Sequence, residues 1–199
     1  MILIAHRRNT IEELKTTPRK YGIEVDIRSQ GNKLITHHDP FMQGTSFEQW
    51  IAEYQHGTLI LNVKEEGLEA RLIDLLQAHN IDDYFFLDQS FPFLVKWSMA
   101  GEHRCAVRVS EYESIATALK LAGKIDWVWV DCFSRFPLDF HDTQRLKDAG
   151  FRLCLVSPEL HGRNAEFEIP QLSSLLQDRT IKVDAICTKR PDLWEHMAI

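Results

Sequence analysis

The sequence predicts an α/β chain folded as a compact (β/α)8 TIM barrel. Three observations carry this expectation. Eight short apolar runs recur along 199 residues. Most are apolar on both faces, as buried parallel strands are. The segments between them show helical periodicity, so strand and helix alternate throughout. The chain is shorter than the roughly 250 residues usual for this barrel, so short loops and reduced helices are expected. A doubly wound open sheet is the alternative. No GxGxxG follows a strand, and neither a P-loop nor a low-complexity linker is present, so residues 1–199 read as one domain.

The strand candidates are Ile2–Ala5, Ile23–Ile27, Leu59–Val63, Tyr84–Leu87, Cys105–Val109, Trp127–Val130, Arg152–Val156 and Ala185–Cys187. Asn9 or Thr10 is placed to cap a first helix through Leu14, which Pro18 stops. Phe47, Trp50, Ile51 and Tyr54 form the apolar stripe of a second helix, with Ser46 as its cap. Leu68, Leu72, Leu75 and Leu76 mark another helix, as do Ile115, Ala118, Leu119 and Ala122. Gly150 fits just beyond a helix ending near Ala149.

Apolar residues make up 44% of the chain and charged residues 26%, the balance of a soluble globular protein. The net charge of −6 argues against a nucleic-acid partner while leaving room for a locally positive anion site. No run reaches the length of a membrane span. The start Met1–Ala5 is short and runs straight into His6-Arg7, so no secretory leader is expected. Cys105, Cys132, Cys154 and Cys187 lie far apart without CxxC spacing, which predicts reduced, buried thiols in a cytoplasmic protein.

The chemistry concentrates near the N-terminus. The first strand runs into His6-Arg7. The second holds Glu24 and Asp26, two apart and therefore on one face. The run Leu34-Ile35-Thr36 leads into His37-His38-Asp39-Pro40. Two carboxylates, two imidazoles and a guanidinium at one end of a sheet suit a hard metal ion and a phosphate.

These residues resemble the glycerophosphodiester phosphodiesterase family. His6-Arg7 with Asn9-Thr10 is similar to its opening HRG and ENT, Gly22-Ile23-Glu24-Val25-Asp26 to its G-x-E-x-D, and Gly31 through His38-Asp39-Pro40 to its DG…HDP. Leu61-Asn62-Val63-Lys64 resembles its E-I-K, Gln89-Ser90-Phe91 its QSF, Ala149-Gly150-Phe151-Arg152-Leu153 its A-G-x-x-V, and Asp184 through Pro191 its closing DGIITDRP. The ordered set spans nearly the whole chain. Three departures stand out: Arg8 replaces the glycine of HRG, the insertion after HDP is nearly absent, and Asn62 stands where the family has a metal-binding glutamate.

The resemblance implies a TIM barrel with its site at the C-terminal strand ends, where His6, Arg7, Glu24, Asp26, Lys64 and Thr188 fall. It implies a metal-dependent phosphoric diester hydrolase. His6 and His38 form the acid–base pair, and Arg7 and Lys64 hold the phosphate. Glu24, Asp26 and Asn62 bind a divalent ion, Mg2+ or Ca2+. Among Glu65, Asp88, Asp131 and Glu159, Asp131 is the best-placed replacement for the missing carboxylate, since it ends the strand Trp127–Val130. Asp39 is expected to brace His38, and His37 to pack in the loop. Phe85, Phe86, Phe91, Trp127 and Trp129 are read as core or helix packing, and His103, His141, His161 and His196 as surface residues. The substrate is a small or lipid-derived phosphodiester. Two alternatives remain: a phospholipid or polysaccharide phosphodiesterase of the same superfamily, or a non-catalytic binder of a phosphorylated ligand.

Overall fold

The computed structural model describes residues 1–197. The chain opens with β1 (Ile2–Ala5), α1 (Ile11–Thr16) and β2 (Gly22–Gln30), then β3 (Lys33–Thr36), β4 (Thr45–Ser46) and α2 (Phe47–Ile51). Next come β5 (Leu59–Val63), α3 (Glu69–Ala78), β6 (Tyr84–Leu87), α4 (Phe91–Met99), β7 (Ala106–Val109) and α5 (Ile115–Leu119). The remainder is β8 (Trp127–Val130), α6 (Phe140–Asp148), β9 (Arg152–Val156), a 3-10 turn at Pro158–His161, α7 (Ala165–Asp178), β10 (Ala185–Thr188) and α8 (Pro191–Glu195). A helix follows each of the eight predicted strands.

The sheet is curled and TIM-barrel-like. β1 pairs in parallel with both β10 and β2, β2 with β5, and β5 with β6. β7 pairs with β8, β8 with β9, and β9 with β10, again in parallel. β6 and β7 meet more loosely, through the isolated bridge Phe86↔Cys105 and the bond from Phe86 N–H to the Arg104 carbonyl at 2.9 Å. Just beyond β6, Asp88 adopts a left-handed φ of 60°, which turns the chain away from the path of a strand.

Alternation along the strands builds two apolar layers. Ile4, Ile60, Phe85, Trp127, Trp129, Cys154 and Cys187 pack together inside the curl, where the Phe85 and Trp127 rings stack at 4.5 Å. Their strand neighbours, such as Ile23, Val25, Leu61, Phe86 and Val128, face outward and meet Leu14, Trp50, Leu72 and Leu146 of the helices. On β2 this parity turns Gly22, Glu24 and Asp26 inward, since Ile23, Val25 and Ile27 belong to the outer layer. Gly22 sits where neighbouring backbone comes close: a Cβ there would lie 2.5 Å from the Thr58 carbonyl oxygen.

Local signals explain the helix starts. Thr10 caps α1 in a full capping box, its hydroxyl accepting from Glu13 N–H while the Glu13 carboxylate accepts from Thr10 N–H. Ser46 precedes α2 but caps no helical N–H; its hydroxyl donates to Glu48 at 3.1 Å. Gly150 follows α6 with φ 91°, as a residue past a helix end does.

Three expectations are corrected. The polar tail of β2 runs on to Gln30 and pairs antiparallel with β3, a hairpin absent from the predicted strand set. Phe91 is exposed rather than packed in the core. His161 is only 23% exposed and is bonded to Asp131 rather than free at the surface. The four cysteines are buried and unpaired, and no described helix is long and apolar enough to cross a membrane.

Candidate active site

Glu24 and Asp26 lie side by side on the inner face of β2, both fully or almost fully buried, at 0% and 1% exposure. Two carboxylates can remain there only if donors meet them. Glu24 accepts from the Arg7 backbone N–H at 2.7 Å and from the Asn62 side-chain amide at 2.9 Å. Arg7 reaches this position through a left-handed backbone, φ 55°, a conformation costly for any residue with a Cβ and held here by the turn after β1. Asp26 faces Asn62 in the β2–β5 register. It accepts from Asn9 Nδ2 at 2.9 Å, while Asn9 Oδ1 accepts from the Asp26 N–H at 2.9 Å. The Arg7 guanidinium and the Lys64 ammonium flank its carboxylate, each at 3.4 Å.

His6 completes the group, with Nε2 3.7 Å from Glu24 Oε2. Burial, reinforced by Arg7, Lys189 and Lys64, pushes its pKa down to about 3, so the ring is neutral at physiological pH. Burial and the neighbouring Asp26 charge push Glu24 up to about 7, against the opposing pull of Asn62, Arg7 and Lys64. The site thus holds a neutral imidazole, two carboxylates that repel each other, and two cations.

Some polar capacity is unused. Asp26 Oδ1, Asn62 Oδ1 and His6 Nδ1 are buried without a hydrogen bond. Two of these are oxygens on facing residues of adjacent strands, a donor set that fits a hard cation. Among the described residues, no three His, Cys, Asp or Glu side chains gather as a metal-holding group. The anionic part of the set is therefore the Glu24–Asp26 pair.

The other predicted residues are placed differently. His38 stands at the rim, its side chain 40% exposed, with Nδ1 2.8 Å from Asp39 Oδ1. Asp39 braces it as expected, and His37 shares that loop through a bond from the Asp39 N–H at 3.0 Å. None of the His38 contacts reaches Glu24, Asp26 or His6. Asp131 is buried at the end of β8, where it bonds Arg108 at 2.5 Å and His161 at 2.6 Å instead of joining Glu24 and Asp26. Glu159 accepts from Thr188 Oγ1 at 2.6 Å and from Lys189 N–H at 2.8 Å, bracing the strand end beside His6. Glu65 pairs with Arg28 and accepts from Ser29 N–H.

Sequence reasoning missed the continuity of charge along the rim. Lys64 also pairs with Asp88 at 3.2 Å, Asp88 with Arg108, and Arg108 with Asp131. Alternating signs thus run from Arg7 through Asp26, Lys64, Asp88, Arg108 and Asp131 to His161. It also missed Lys189, whose charge acts on His6. No local pattern marks these residues, because each partner comes from a different strand.

Neither a protein-family model nor a curated protein matches the sequence. Solved structures do resemble the fold. A glycerophosphodiester phosphodiesterase from Agrobacterium tumefaciens superposes with a TM-score of 0.64 at 16% identity, covering 97% of each chain. A glycerophosphoryl diester phosphodiesterase from Parabacteroides distasonis gives 0.63 at 11% identity, covering 100% of this chain and 87% of its own. At these identities the likeness establishes a shared TIM-barrel-like fold across essentially the whole chain.

Proposed function

We propose that this chain is a phosphoric diester hydrolase acting on glycerophosphodiesters or a related small phosphodiester. We read its curled sheet as one compact (β/α)8 domain with a loose seam between β6 and β7. The observation that carries the reading is the buried Glu24–Asp26 pair on β2, ringed by His6 and Arg7 just past β1 and Lys64 just past β5. A structural ion pair needs no neutral histidine buried beside two acids.

Arg7 and Lys64 hold the phosphate and stabilise the charge that builds in the transition state. His6, neutral at working pH, takes or returns a proton at the reacting oxygens. His38 serves as the second proton carrier from the rim, since its Nδ1 contact with Asp39 leaves Nε2 free to face substrate. One histidine takes the proton of the attacking hydroxyl, and the other gives a proton to the departing alcohol. Glu24, Asp26 and the Asn62 carbonyl oxygen would hold a divalent ion, Mg2+ or Ca2+, which when bound neutralises phosphate charge. Buried, unpaired cysteines support a reducing, cytoplasmic setting.

Turnover of glycerophosphocholine, with chelator and with each ion restored, tests the reading. His6→Ala and Glu24→Ala should lower kcat at least a hundredfold with folding intact. No turnover across a panel of diesters and ions would refute catalysis. A non-catalytic binder is the second reading, favoured by the absence of a three-acid group among the described residues. It would show as phosphate-ester binding that persists in Glu24→Ala.

A further inference from the structure

The loops that follow β5 and β6 enclose a second cluster of polar atoms, separate from the group around Glu24 and Asp26. Glu69 opens α3 and is wholly buried, at 0% exposure. Its Oε1 accepts from the Gln89 side-chain amide at 3.0 Å, and its Oε2 has no partner. Among the described residues, no Lys, Arg or His side chain forms an ion pair with it. A buried carboxylate without a counter-charge is strongly destabilising. The dipole of α3 supplies about half a positive charge at that end of the helix, short of a full unit.

Two further oxygens share this condition. Gln89 Oε1 and Ser90 Oγ are buried and unbonded. Ser90 stands immediately before α4, where a serine hydroxyl ordinarily accepts from a first-turn N–H, yet it caps nothing. Glu69, Gln89 and Ser90 all line one cavity of about 270 Å³, ample for an ion and its remaining waters. Other charges on its wall are matched: Lys64 lies against Asp26 and Asp88, and Glu65 against Arg28. Glu69 has no such match, and the exposed Glu66 on the same wall adds negative potential.

We infer that Glu69, the Gln89 amide oxygen and the Ser90 hydroxyl oxygen bind a monovalent cation, Na+ or K+, in this cavity. Oxygen donors suit a hard ion. The single buried carboxylate balances one positive charge, and the Lys64 ammonium on the same wall disfavours a second. A water molecule would complete the hydrogen bonds and leave the charge uncompensated. The ion joins two loops. Lys64 begins the loop that Glu69 closes, and Asp88 begins the loop that Gln89 and Ser90 complete. Lys64 and Asp88 pair at 3.2 Å, so the ion steadies the segment that carries one of the two proposed phosphate-binding cations. The ion site itself does not depend on the hydrolase reading.

Thermal unfolding in chelator tests it, with NaCl or KCl replacing tetramethylammonium chloride at constant ionic strength. Tetramethylammonium presents only methyl groups to oxygen donors. The parent's Tm should rise saturably, by about 3–6 °C at a tenfold excess of ion over Kd. Glu69→Gln keeps the shape and removes the charge. It should abolish the rise and melt at or above its parent in tetramethylammonium. Ser90→Ala should raise the midpoint of the ion titration severalfold. Glu24→Gln should keep the rise, which separates this ion from the acid pair of β2. No monovalent response in the parent would refute the ion, as would equal responses in the parent and Glu69→Gln. So would loss of the rise in Glu24→Gln with its retention in Glu69→Gln. A parent that melts below Glu69→Gln by the same margin in every salt would mark the buried acid as uncompensated and also refute it. If Ca2+ without chelator, but neither Na+ nor K+, separates the parent from Glu69→Gln, the site is divalent and the monovalent assignment falls. Should Glu69→Gln fail to fold, a raised midpoint in Ser90→Ala sustains the ion and an unchanged one refutes it.

Discussion

Replacing Asn62 with aspartate interrogates the site at its least ordinary position. The Asn62 amide donates to Glu24 Oε1 at 2.9 Å inside the curl. Asn62→Asp removes that donor, which costs about 1.5–3 kcal/mol for a bond to a charged group. It also sets a third carboxylate at hydrogen-bonding range from Glu24, where like charges ~4 Å apart repel by about 4 kcal/mol at an effective dielectric constant of 20. Proton uptake relieves part of this, so the net destabilisation in chelator should be about 3–6 kcal/mol. For a chain of this size that is a fall in Tm of about 6–24 °C. Divalent ions should reverse it, because three acids now surround the cation, and at 100 Kd the linkage returns about 2.7 kcal/mol. The assay is thermal unfolding in chelator and across Mg2+ and Ca2+ titrations, with Asn62→Leu as the uncharged control. If Asn62→Asp melts with its parent in chelator, or if both respond equally to the ions, Glu24 and Asp26 do not frame a cation site.

Three further outcomes follow from the same geometry. Glu24, raised to about 7, holds its proton more tightly in the native state, so it lowers stability as pH rises from its ordinary 4.5 to 7. His6, lowered to about 3, does the opposite, adding stability as pH rises from 3 to its ordinary 6.5. In chelator, the unfolding free energy of His6→Gln should therefore fall relative to the parent between pH 3 and 6.5, and that of Glu24→Gln should rise relative to the parent between pH 4.5 and 7, each at up to about 1.4 kcal/mol per pH unit by urea unfolding; curves parallel to the parent's would refute both assignments. Gly22→Ala drives a methyl against the Thr58 carbonyl and Ile4, and should cost about 1–3 kcal/mol by urea unfolding while lowering turnover, since Glu24 lies two residues on. Thr10→Ala removes the capping box of α1 and should cost about 1 kcal/mol without affecting the acid pair.

The strands were legible where composition alone decides. Tyr84–Leu87 is an unbroken apolar run between Asp82-Asp83 and Asp88-Gln89, and it forms β6 residue for residue. Trp127–Val130 and Leu59–Val63 are equally clear. The hairpin of β2 and β3 was not, because Arg28-Ser29-Gln30 has no apolar alternation and is held by cross-strand pairing to Lys33–Thr36. In the site, the inward direction of Glu24 and Asp26 follows from their spacing of two. What lay beyond reading was partnership. Arg108 meets Asp88 across the seam, and His161 meets Asp131 over an interval of 30 positions. Such contacts depend on which strands become neighbours, and no window of sequence contains that information.

The charge inventory also explains why an uncharged residue suits position 62. Asp26, and Glu24 once its raised pKa of about 7 is passed, bring two negative charges into the curl, and Arg7 and Lys64 return two positive ones. A third carboxylate would leave this balance one charge short in a medium that penalises unpaired ions, whereas asparagine supplies a donor to Glu24 and keeps an oxygen in reserve. The same balance sets the terms for ligands. In the proposed function, a phosphodiester draws Arg7 and Lys64 away from Asp26, and a cation at Asp26 releases both side chains to the phosphate. On that reading cation and anion binding are linked through a single carboxylate, and each should strengthen the other by the same factor. Asn62 thus tempers the anionic character of the site without dismantling it, and in the proposed function Asp26 is the residue through which both ligands are felt.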